Sequence, residues 1–71
     1  SSHAEVETVL AKLAEKVSIR LQKNNFFARG IHLSVYYQNR QFHHKSFSLD
    51  RNLYHSSDIY KIALQTLNTF P

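Results

Sequence analysis

Seventy-one residues suffice for one small domain, because a chain of this size buries only about 60% of the surface it exposes when unfolded. The absence of cysteine excludes a disulfide framework or a thiolate zinc site as a staple. Nine Lys and Arg against five Asp and Glu leave a formal charge of +4, five histidines can add to it in mild acid, and an anionic partner is expected.

Val6, Leu10, Leu13, Val17 and Leu21 recur at three- and four-residue steps and predict an amphipathic first helix of about five turns. Ser2 followed by Glu5 fits a capping box at its start, and Asn24-Asn25 supplies a left-handed ending. After Gly30 the period changes to two. Ile31, Leu33, Val35 and Tyr37 alternate with His32, Ser34, Tyr36 and Gln38, the mark of a half-buried strand. A tight reversal at Asn39-Arg40 leads into a second, antiparallel strand from about Gln41 to Leu49. Phe42 and Phe47 have opposite parity there, so both reach the core only if a bulge lies between them. From Ser57 onward Ile59, Ile62, Ala63, Leu67 and Phe70 restore helical spacing, with Ser56 or Ser57 as N-cap and Asp58 favourable to the helix dipole. No repeat, low-complexity segment or Pro/Gly-rich linker interrupts the chain, and residues 1–71 read as one domain.

The fold class is therefore α+β, in the order helix, strand, strand, helix, with both helices on one face of an antiparallel sheet. The other face stays open. It carries His32, Ser34 and Tyr36 with part of the polar set His43, His44, Lys45, Ser46 and Ser48. No apolar run approaches the roughly 20 residues that cross a bilayer, and the start has no signal-peptide pattern, so a soluble, cytoplasmic chain is expected.

Catalytic chemistry finds little material. Asp50 and Asp58 are the only carboxylates beyond residue 15, and they fall in a turn and a helix cap, which is too sparse for magnesium. The lone Gly30 precedes a strand rather than a helix, which excludes a phosphate-cradling glycine loop. His43 and His44 are adjacent on a strand, point to opposite faces and cannot chelate one ion together. No catalytic residue and no metal site is expected in this chain. Tyr36 alone among the aromatics has the parity to stand on the open face, and one ring does not make a stacking platform.

The segments Leu13-Ala14-Glu15-Lys16-Val17-Ser18-Ile19-Arg20-Leu21, Ala28-Arg29-Gly30-Ile31-His32-Leu33 and Lys45-Ser46-Phe47-Ser48-Leu49 together resemble the little-finger domain of Y-family translesion DNA polymerases, in its ImpB/MucB/SamB branch. The resemblance runs from about Val6 to Phe70. It implies a helix, a hairpin with a Ser- and basic-rich second strand, and another helix. The family's domain has one more strand at each end, so the chain reads either as a fragment of a larger polymerase whose outer strands are missing or as a shortened branch of the family. The resemblance further implies DNA repair, translesion synthesis and the SOS response. It also implies a catalytic palm elsewhere in the parent protein, where Mg²⁺ would serve a nucleotidyltransferase, and no cofactor here.

Carried over by position, the DNA-contacting segment falls on His44, Lys45, Ser46 and Ser48, with Arg29 at the strand entrance. His32, Ser34 and Tyr36 share the open face. Phe47 stands where many members have a basic or small residue. Phosphate contacts of this kind position a duplex without reading its bases, so sequence-independent binding to the template-primer backbone is the expected function. Unpaired strand edges add an expectation of strand-mediated self-association. Two other readings stay open, a small RNA-binding module and a protein-interaction domain whose basic face is incidental.

Overall fold

The computed structural model describes residues 3–38 and 40–70. Its elements are α1 (His3–Lys23), β1 (Ala28–Tyr36), β2 (Phe42–Leu53) and α2 (Ser56–Leu67), the helix-strand-strand-helix order of an α+β domain. The proposed Ser2 cap lies outside the described residues.

Helix α1 ends as its asparagines dictate. Asn25 takes a left-handed φ of 57°, the Phe26 amide donates to the Leu21 carbonyl at 2.8 Å and the Asn25 amide to Gln22 at 3.2 Å. This pair of bonds is the Schellman ending, and Asn24 Nδ2 adds a third by donating to the Arg20 carbonyl.

The face that α1 buries differs from the expected stripe. Leu10, Ala14 and Ser18 are buried and Leu21 half-buried, whereas Val6, Leu13 and Val17 are exposed. Small side chains at Ala14 and Ser18 let α1 approach α2 closely, and α1 packs on α2 far more than on the sheet. Between α1 and β1 runs an apolar groove of about 340 Å³, lined by Leu13, Val17, Ile31 and Leu33 among others. The two helices thus share one side of the sheet, with α2 bridging α1 to both strands. A polar clasp fixes α1 to the junction before α2: buried Ser18 donates to the Tyr54 carbonyl, and Gln22 Nε2 donates to Ser18 Oγ at 2.8 Å.

The core centres on Ala14, Leu53, Ile59 and Ile62, with Ile31, Phe47 and Leu49 packed against it. Leu53 is its most buried member, at 1% exposure. Helix α2 starts one residue earlier than expected. Its N-cap is His55, whose backbone carbonyl accepts from the Ile59 amide and whose side chain makes no cap bond, so neither Ser56 nor Ser57 fills that role. Asp58 stands in the first turn as the dipole favours.

The hairpin is a single antiparallel pair, and β2 extends to Leu53 rather than stopping near Leu49. Tyr37 and Gln41 close it with three residues between them in sequence: the Tyr37 amide donates to the Gln41 carbonyl, the Arg40 amide to the Tyr37 carbonyl, and Arg40 holds a left-handed φ of 67°. Asn39 lies outside the described residues. Every pair in the regular stretch then joins residues of like parity, from Tyr36↔Phe42 to Gly30↔Ser48. The one irregularity lies between Ala28 and Gly30, not between the two phenylalanines. Phe47 therefore packs inward and Phe42 turns outward. Gly30 sits where the strands crowd, since a Cβ there would stand 3.1 Å from the Phe47 carbonyl oxygen.

Candidate nucleic-acid interface

Cross-strand register assembles the outer face. His32 pairs with Ser46, Ser34 with His44, Tyr36 with Phe42 and Gly30 with Ser48, and directly opposed residues share a face. The helices occupy the other side, so these side chains are exposed. His32 Nε2 lies 3.0 Å from Ser34 Oγ, within hydrogen-bonding distance. Across the paired stretch, residues 30–36 and 42–48, there is no carboxylate.

Six of the expected contact residues come together here: His32, Ser34, Tyr36, His44, Ser46 and Ser48. Arg29 is exposed at the beginning of β1, beside the irregular pairing. Lys45 does not join them. It opposes Leu33 on the helix-bearing side, and its Nζ donates to Thr69 Oγ1 at 2.8 Å beyond the end of α2. Segment 44–48 is therefore not one surface, because alternation sends Lys45 and Phe47 one way and His44, Ser46 and Ser48 the other.

His43 also faces the helices. Its ring meets Tyr37 edge-on at 5.3 Å and lies 6.1 Å from Phe70, while its buried Nε2 has no hydrogen-bond partner. The neighbouring histidines thus diverge as strand geometry requires. Among the described residues no three His, Cys, Asp or Glu side chains converge on a metal position, and Asp50 and Asp58 stand in different elements.

Sequence reasoning missed the outward rings. Tyr36 is 69% exposed and Phe42 54%, with ring centroids 6.4 Å apart. Phe42 lies 5.4 Å from His44, and His44 stacks on His32 at 5.5 Å with 21° between the planes. The open face holds a strip of four rings rather than one. The signal that could have found it is the length of the turn, since a three-residue loop aligns even-numbered residues of both strands.

The model of the impB/mucB/samB family C-terminal domain matches residues 1–71. The chain belongs to that family. It matches the little-finger domain of Y-family DNA polymerases, a class of domain that usually binds DNA, and the family is part of nucleotidyltransferases. Comparison with curated proteins and with solved structures gave no match. Among the described residues no helix is long and apolar enough to cross a membrane.

Proposed function

We propose that this domain grips duplex DNA by its backbone, independently of sequence, on the open face of the hairpin. The observation that carries the reading is the carboxylate-free face on which His32, Ser34, His44, Ser46 and Ser48 present hydrogen-bonding groups side by side. Phosphate oxygens accept from hydroxyl and imidazole donors as well as from cations. Exposed Arg29 at one end of the paired stretch and exposed Arg40 at the hairpin tip bring positive charge to its two limits. Such donors fix position and orientation without reading base edges, which suits a part that must follow a moving template-primer junction during lesion bypass. Catalysis and Mg²⁺ belong, in this reading, to the parent polymerase's palm.

The test is affinity for several duplexes of unrelated sequence across a salt series. Expected is weak binding, in roughly the 10⁻⁴ to 10⁻⁶ M range at physiological salt, equal for all sequences and falling as salt rises. A strong preference for one sequence, or no binding at low salt, contradicts the reading.

A further inference from the structure

The four rings on the open face do more than a phosphate grip requires. Hydrogen bonds to a backbone need donors, and the serines and histidines supply them. A phenyl ring offers a phosphate nothing. Yet Tyr36 and Phe42 stand well exposed at the tip end of this face, where Arg40 follows. Cross-strand pairing alone does not account for them, since such a pair contributes to the sheet without its outer faces needing to remain bare. From Tyr36 through Phe42 and His44 to His32 the centroids follow one another at 6.4, 5.4 and 5.5 Å. Flat unpaired bases present π-faces that stack on such rings whatever their identity. The charge of the chain and the absence of carboxylates from the strip favour an anionic occupant over an apolar peptide or a second copy of this basic chain.

We propose that the strip Tyr36–Phe42–His44–His32 is a stacking site for unpaired bases of single-stranded DNA, with Tyr36 and Phe42 as its principal rings. The proposal rests on the reading of this face as a DNA surface and adds a second mode to it. Where duplex is bound by its phosphates alone, single strand is bound by phosphates and bases together.

The experiment compares a twelve-residue oligothymidylate with an abasic twelve-mer carrying the same phosphates, alongside a duplex and an oligouridylate of equal length. The expected result is thymidylate bound about tenfold or more tightly than the abasic strand. Tyr36→Ala and Phe42→Ala should each remove most of that ratio, and Phe42→Ala, at a residue outside the duplex contacts, should change duplex affinity less than twofold. Phe42→Leu, which keeps apolar surface without a π-face, should behave as Phe42→Ala, and Tyr36→Phe should retain the ratio. Because both side chains are exposed, folding of the variants is checked by their unchanged circular dichroism. Equal affinity for thymidylate and abasic strands with duplex binding intact overturns stacking and leaves the duplex reading standing. Full retention of the ratio by Phe42→Leu also overturns it. Uridylate bound more than tenfold tighter than thymidylate moves the occupant to RNA and overturns the commitment to DNA. Failure of every oligonucleotide, duplex included, refutes the underlying function and the stacking site with it.

Discussion

Lys45 on β2 donates from Nζ to Oγ1 of Thr69 at 2.8 Å, and Thr69 Oγ1 in turn donates to the Thr66 carbonyl at 2.6 Å. Helix α2 has no basic residue in its own last turn, so a cation from the neighbouring strand stands at its negative end. Lys45→Ala should therefore cost about 0.5 kcal/mol of stability in urea denaturation. Thr69→Val should cost a similar amount, and the double variant little more than either alone. The salt dependence of DNA binding should match that of Lys12→Ala, a control of equal charge on exposed α1. A selective loss of duplex affinity in Lys45→Ala would return this lysine to the DNA surface.

Ser18 and Gln22 close α1 onto the Tyr54 carbonyl through a buried hydroxyl. Ser18→Ala removes the donor and leaves that carbonyl to the longer bond from Gln22 at 3.4 Å. The expected cost is about 1 kcal/mol, or a fall in Tm of roughly 4–8 °C for a domain of this size. An unchanged Tm would show that the clasp contributes nothing net.

His43 carries a buried, unpartnered Nε2 between the rings of Tyr37 and Phe70. His43→Phe keeps an aromatic ring in that place and removes the orphaned nitrogen, so stability should rise by about 1 kcal/mol. The check is thermal unfolding at neutral pH. A lower Tm would mean that the ring nitrogen has a use in the fold.

The sheet has two strands among the described residues, and the outer edge of each presents unpaired backbone groups. Sedimentation at high protein concentration should reveal a dimer or larger species. Monomer alone at all concentrations would contradict association through these edges.

The sequence made the element order and the α2 part of the core plain, while Ala14 and Leu53 were not foreseen in it. Ile59, Ile62 and Ala63 bury as their spacing predicts, and the Asn25 ending is the one its side chain allows. Two features were not legible, for different physical reasons. On α1 the apolar residues cover a wider arc than one neighbour can bury, and close helix packing selected Ala14 and Ser18 over Leu13 and Val17. On β2 the facing of every side chain turns on a single loop residue. A two-residue reversal at Asn39-Arg40 would align odd residues with even ones, whereas the three-residue turn aligns like with like. That difference exposes Phe42, draws Lys45 under the sheet and sets His44, Ser46 and Ser48 beside His32 and Ser34. The outer face is thus a product of turn geometry, and local propensity carries no record of it.

Nuclear magnetic resonance of the labelled chain, titrated with duplex DNA at low salt, shows whether DNA lies on the outer face of the hairpin. Side-chain and amide signals of His32, Ser34, Tyr36, His44, Ser46 and Ser48 should shift together and saturate with one affinity, while those of Lys12 and of the Lys45–Thr69 contact stay in place. Shifts concentrated on α1 or on the Lys45–Thr69 side, with the outer face unmoved, would contradict the account.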